Sequence, residues 1–193
     1  MGRRVSAVLI IGWAGVLIAG PSVIRGEPQQ PDTPSPKAIE AMKLLDAPDP
    51  YQQQLGFLRL EALREPSTAE TIKKYLQSPN EDMRSYSVRA LAAIEGVAAV
   101  PVLLEQLKSD RTPRVRRAAL LGLEPFQEAD PRILSAFIKA LRDRSPEVRM
   151  SAVDVVSRID DPRAREAIFT RNQRERDRDV RRVLAMAIKR IGK

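Results

Sequence analysis

Residues 113–123 read PRVRRAALLGL, residues 146–156 read PEVRMSAVDVV, and residues 178–188 read RDVRRVLAMAI. Each has a hydrophobe followed by arginine and then apolar residues at helical intervals. Taking that hydrophobe as a register mark gives Met83, Val115, Val148 and Val180, spaced by 32, 33 and 32 residues. A weaker copy sets Gln52 at the same place, 31 residues before Met83. Residues 5, 8 and 11 beyond a mark lie on one face of a helix. Those residues are Phe57, Leu60 and Leu63; Val88, Leu91 and Ile94; Leu120, Leu123 and Phe126; Val153, Val156 and Ile159; Ala185, Ile188 and Ile191. The fourth residue beyond the mark is small in Gly56, Ser87, Ala119 and Ala152, which lets helix axes approach closely; Leu184 is the exception.

A second amphipathic set lies between these helices: Ile39, Met42 and Leu45; Ile72, Tyr75 and Leu76; Val102, Leu103 and Leu107; Ile133, Phe137 and Leu141; Ala164, Ala167 and Ile168. Each repeat is therefore a helix pair. Pro79, Pro113, Pro146 and Pro162 fall at breaks or first turns, where a missing N–H costs nothing. The repeats run over about 35–65, 66–96, 97–128, 129–160 and 161–193. One pair cannot bury its apolar stripe alone, so neighbours must stack. The expectation is an all-α fold, an α-solenoid wound as a right-handed superhelix with a concave face. The polar stretch Thr170 to Arg176 suits a solvent-facing cap on the last repeat.

In two repeats the second helix opens with an acid, a turn, Val-Arg and a following Ala: Asp110 to Arg116 with Ala119, and Asp143 to Arg149 with Ala152. These residues resemble the HEAT-like repeat family, and more closely its phycobilin-lyase-type variety. The resemblance covers roughly residues 35–193 and is strongest in the third and fourth repeats. It implies a binding scaffold; some relatives are phycobilin lyases, so a lyase-like enzyme or accessory subunit is the alternative that the resemblance carries. A related iron hydroxylase uses paired His-Glu motifs, and the absence of histidine rules that chemistry out here.

The residue after each mark is Arg84, Arg116, Arg149 or Arg181, with Gln53 in the first copy. Arginines one repeat apart form a ladder, and the ladder admits two roles. As structure, each guanidinium forks to a turn acid such as Asp82, Asp110, Asp143 or Asp177 and fixes the rotation between repeats, as the family resemblance implies. As a site, the ladder joins Arg114, Arg117, Arg158, Arg182 and Arg190 in a basic stripe for an anionic partner. Nothing in the repeat pattern demands arginine at Arg117, Arg182 or Arg190.

The N-terminus carries a different signal. Arg3 and Arg4 precede an uncharged run from Val5 to Ile24, broken by Gly20 and Pro21. That is the pattern of a signal peptide, and the run also reaches the roughly 20 residues that span a bilayer core. Residues 1–26 are thus a signal peptide or a membrane anchor, 27–36 (EPQQPDTPSP to Pro36) a Pro-rich linker, and 37–193 the repeat domain. An exported protein, periplasmic, secreted or membrane-tethered, is expected.

Composition narrows the chemistry. There is no cysteine and no histidine, which removes thiol nucleophiles, disulfides, imidazole bases and Cys/His zinc sites. Asp160-Asp161 and Glu81-Asp82 fall at inter-helix turns, where acids cap helices. No catalytic residue, cofactor or metal is expected. Of 33 basic residues three lie before residue 27, leaving 30 against 25 acidic ones, and residues 142–193 hold 15 basic against 9 acidic. An acidic protein partner fits that balance, as does an acidic polymer or lipid held by the C-terminal arginines. Nucleic acid fits poorly, because aromatic platforms are scarce and the one tryptophan, Trp13, lies in the leader.

Overall fold

The computed structural model describes residues 33–192, and all their regular structure is helical. The leader at 1–26 and linker residues 27–32 lie outside the described residues. Five helix pairs follow one another: α1 (Pro36–Leu45) with α2 (Pro50–Leu63), α3 (Ala69–Lys73) with α4 (Glu81–Glu95), α5 (Val100–Ser109) with α6 (Pro113–Leu123), α7 (Pro131–Ala140) with α8 (Pro146–Val156), and α9 (Pro162–Arg174) with α10 (Arg178–Ile191). Short 3-10 turns flank α3 at Pro66–Thr68 and Lys74–Gln77.

Helix starts are set locally. Proline stands in the first turn of α1, α2, α5, α6, α7, α8 and α9. There its fixed φ suits the helix and its missing N–H is one that would have no intrahelical partner. The side chains of Ser35, Asp49, Asn80, Asp130, Asp161 and Asp177 accept hydrogen bonds from the N–H groups that begin their helices. At the end of α4, Gly96 adopts φ +57, which a side chain would resist, and the chain turns there into α5. The span 81–109 is apolar enough to cross a membrane by composition, but it comprises a helix pair with 44% of its most apolar window buried in the protein.

The second helices α2, α4, α6, α8 and α10 pack on one another in an unbroken row, whereas the first helices touch more sparingly. A stack held closer along one row curves toward that row, so the second helices form its inner side. The core runs along the seam between rows through Leu45, Phe57, Leu60, Ile72, Leu91, Leu103, Leu120, Leu123, Ile133, Phe137 and Ile168, all fully buried. Gly56 permits the closest approach: a Cβ there would lie 2.9 Å from the Ala41 carbonyl and 2.9 Å from Leu45.

Three apolar expectations need correction, each at an end of the stack. Ile39 is 42% exposed, with Ala38 and Ala41 buried instead, because no earlier helix pair covers α1 among the described residues. In α10, Ala185 is exposed and Leu184 and Ala187 take the buried places, since α10 is covered only by α8 and α9. The polar stretch 170–176 is not a loose cap either: α9 stays helical to Arg174, and Glu175 is only 6% exposed.

Candidate functional site: buried arginine rungs and an open cationic end

Six residues before each ladder arginine stands the first residue of an inter-helix turn, and in the last three repeats it is an acid: Asp110, Asp143 and Glu175. Each acid first closes its own turn. Asp110 accepts the Thr112 N–H at 2.7 Å, Asp143 the Ser145 N–H at 2.8 Å, and Glu175 the Arg176 and Asp177 N–H groups at 2.9 and 2.8 Å. The arginine of the preceding repeat then forks onto it. Arg84 donates Nε to Asp110 at 2.8 Å and Nη2 at 3.2 Å; Arg116 donates to Asp143 at 2.8 and 2.6 Å; Arg149 donates to Glu175 at 3.0 and 3.1 Å. Through Nη1 the same guanidiniums bind their own turn carbonyls: Arg84 to Ser78 at 2.8 Å, Arg116 to Asp110 at 2.9 Å and Arg149 to Asp143 at 3.0 Å. Each rung therefore ties two successive turns together with nearly every guanidinium donor used.

The rungs are buried, with side-chain exposures of 5% for Arg84 and Asp110 and 4% for Arg116. Burial alone would raise the carboxyl pKa values, but the bonds to arginine and backbone N–H outweigh it. Asp110 and Asp143 are held below the usual carboxylate range. Glu175 is brought down to about 2 against burial by Arg149, the Asp177 N–H and Arg171. The Asp110 bonds in turn raise Arg84.

Asp82 and Asp177 do not belong to this ladder. Asp82 pairs on the surface with Arg114, which also sits 5.7 Å over the Tyr86 ring, and Asp177 caps α10. Arg181 forms no rung: it is exposed and has no side-chain hydrogen bond or ion pair among the described residues, because no further turn acid lies beyond it. In the first repeat Gln53 donates only to the Ala47 carbonyl of its own turn, at 2.8 Å, and the next turn carries Ser78 in the acid position.

Sequence reasoning missed Glu175, one methylene longer than the other turn acids and directly ahead of the expected Asp177. It also missed a smaller ladder. The arginine after each turn acid reaches back to the preceding turn, Arg111 to the Pro79 carbonyl at 3.1 Å and Arg144 to the Arg111 carbonyl at 2.6 Å. The recurrence Asp-Arg at 110–111 and 143–144, then Glu-Arg at 175–176, was the available signal.

The expected basic stripe divides into paired and unpaired cations. Arg158 lies 2.6 Å from Glu124 and 3.1 Å from Asp154, and Arg190 shares Asp154 at 3.5 Å while donating to Ser157 at 2.9 Å. Arg117 donates only to the Ser151 hydroxyl, at 3.0 Å, and Arg182 has no side-chain partner among the described residues. Unpaired charge on the inner row is thus Arg117 and, at the last repeat, Arg181, Arg182 and Lys189. Elsewhere, Arg142, Arg171 and Arg174 border a hollow of about 220 Å³ floored by Ile138, Leu141 and Ala167. Among the described residues no three Asp or Glu side chains stand together as metal ligands would.

The profile for HEAT repeats matches residues 39–124 and 100–189. Among curated proteins none matches. Among solved structures, the complex of CpcE and CpcF of phycocyanin lyase from Nostoc sp. PCC7120 is similar, at 23% identity and a TM-score of 0.61, covering 78% of this chain and 96% of that one. An engineered protein is similar at 22% identity and a TM-score of 0.49, covering 80% of this chain and 79% of its own.

Proposed function

From the premise that this chain belongs to the HEAT-repeat family, we propose that it is a non-catalytic scaffold that binds a protein partner outside the cytoplasm through its inner helix row and loops. The observation that carries this is the division of its arginines. Three are buried in rungs that hold the stack in one curvature, while Arg117, Arg181 and Arg182 stand on the surface without a carboxylate partner. A rigid support presenting unneutralised cations suits recognition of an acidic surface, since preorganised side chains lose little freedom on binding.

The compartment rests on the leader, whose basic start and uncharged run match a secretory signal or an anchor. An exported scaffold is cut and soluble outside the cytoplasm; a tethered one works at the membrane, which it touches only through the N-terminal segment. Cell fractionation with intact-mass measurement tests this. A full-length chain in the soluble cytoplasmic fraction removes the exported role. For the partner, crosslinking in the producing cells is compared between the native chain and Arg117→Glu. The expected result is an adduct weakened by the reversal; an adduct of equal yield removes the inner-row cations from recognition. Binding to an acidic polymer or anionic lipid is the second reading, favoured by the same unpaired arginines, and it differs in losing affinity steeply with salt toward heparin or anionic vesicles.

A further inference from the structure

We propose that the C-terminal end of the stack is a docking edge for a different protein that presents an acid–arginine turn between two helices, and that Arg181 completes with it the same rung that joins the internal repeats. The proposal rests on the scaffold reading and names the place and chemistry of one contact. Three successive junctions share one arrangement. A ladder arginine forks onto the first acid of the next turn, as in Arg84 with Asp110, Arg116 with Asp143 and Arg149 with Glu175. In two of them the arginine after that acid reaches back to a carbonyl of the preceding turn, as Arg111 does to Pro79 and Arg144 to Arg111.

Both halves are open at the last repeat. Arg181 stands in register with Arg84, Arg116 and Arg149, and it is exposed without a side-chain partner among the described residues. The carbonyl of Arg176, equivalent to those of Arg111 and Pro79, receives no arginine. Around this half-rung the surface is basic. Arg178, Arg182 and Lys189 are exposed and make no ion pair among the described residues. The surfaces through which internal repeats meet their successors are less charged: the residue in register with Arg182 is Ser85 in α4 and Met150 in α8. The occupant is therefore more acidic than an internal repeat of this chain.

A second copy of the chain does not supply it. The first turn of a copy has Ala47 in the acid position, and the adjacent Asp46 already accepts the Tyr75 hydroxyl at 2.6 Å. The residues that would meet Arg182 and Lys189, on the uncovered face of α2, are Tyr51, Leu55 and Leu58. Asp110, Asp143 and Glu175 of a copy are engaged in its own rungs.

The probe is a synthetic peptide copying residues 131–156, which carries Asp143-Arg144-Ser145-Pro146 between its two helical segments. Its binding to the purified full chain is followed by calorimetry. The expected result is saturable binding that falls at least tenfold with Arg181→Gln in the protein and at least tenfold with Asp143→Asn in the peptide. The two changes together should cost little more than either alone, because they remove the same rung. Melting of Arg181→Gln should match the native chain, since the exposed side chain holds nothing in the fold, so the weakened binding reads docking and not unfolding. No binding, or binding indifferent to both substitutions, makes the basic end a solvating cap and overturns the proposal. That outcome leaves the inner-row scaffold standing, because the Arg117→Glu crosslinking comparison reads a different surface.

Discussion

The junction between the first two helix pairs and the junctions between later ones solve one mechanical problem with different chemistry. Later pairs are pinned by buried rungs of arginine and carboxylate. The first junction has glutamine in the arginine position and serine in the acid position, and it is filled with rings. Phe57 meets Tyr75 edge-on at 5.5 Å and Tyr86 at 5.8 Å, and Tyr75 ties back to Asp46. Arginine and its acid are absent together, so no charge is left buried alone. Rungs are therefore one way of fixing the angle between repeats, and close aromatic packing is another.

Breaking a rung from one side should have the largest effect. Asp143→Ala strands the Arg116 guanidinium, 4% exposed, without its carboxylate, and loss of one partner of a buried pair costs roughly 3–5 kcal/mol. Replacing both, Arg116→Met with Asp143→Leu, should recover most of that in urea unfolding. If the double variant were as unstable as the single, the rung would be a net source of stability and not chiefly a device of geometry.

The aromatic junction should be nearly as sensitive and by a different route. Phe57→Ala empties a fully buried ring site and should cost about 3 kcal/mol, with no dependence on salt or pH. Gly56→Ala places a methyl 2.9 Å from a backbone carbonyl that has little freedom to retreat, and a loss of about 2 kcal/mol is expected. Thermal unfolding of both variants checks the comparison. An unchanged midpoint for Gly56→Ala would mean that α1 and α2 slide apart easily, and that the first pair is not held by close approach.

Acid should separate the two kinds of junction. Glu175 titrates near 2 in the folded chain and near 4.5 as an ordinary glutamate. Between those values the unfolded chain binds the proton and the folded chain does not, so stability is fully present above about pH 5 and is lost as pH falls toward 2. At pH 3 the loss from this group is on the order of 2 kcal/mol, and Asp110 and Asp143 act in the same direction. Glu175→Gln should flatten the dependence on pH while lowering stability at neutrality. Equal slopes for the variant and the native chain would show that the last rung is not what acid breaks.

The fold was legible because a register of 32 or 33 residues repeats both a helical apolar face and a marked arginine, and no other architecture uses that period with helix pairs alone. Apolar expectations failed at Ile39 and Ala185, where the pattern assumes a neighbour that the end repeats lack. The ladder was legible in its arginines and less so in its acids. Asp177 looked like the last acid, but a turn measured from the arginine puts Glu175 at the required six residues, and only the longer side chain reaches Arg149 and Arg171 while closing its turn. Which surface arginines keep a free charge was not legible at all. That depends on whether the neighbouring repeat offers Glu124 and Asp154, or only Ser151.

The smallest effects should come from those surface pairs, and their smallness bears on function. Arg158 is 45% exposed and its partner Glu124 35% exposed. Solvent and salt screen such a pair, so Arg158→Ala should change stability by no more than about 0.5 kcal/mol. Arg117→Ala, with only a hydroxyl partner, should do still less to the fold. A double-mutant cycle on Arg158 and Glu124 in urea checks the first figure. A coupling above about 1 kcal/mol would place Arg158 among the structural residues with the rungs. A value near zero means that the inner row can exchange its charges without disturbing the stack, so changes there alter what the protein binds while the buried rungs keep its curvature.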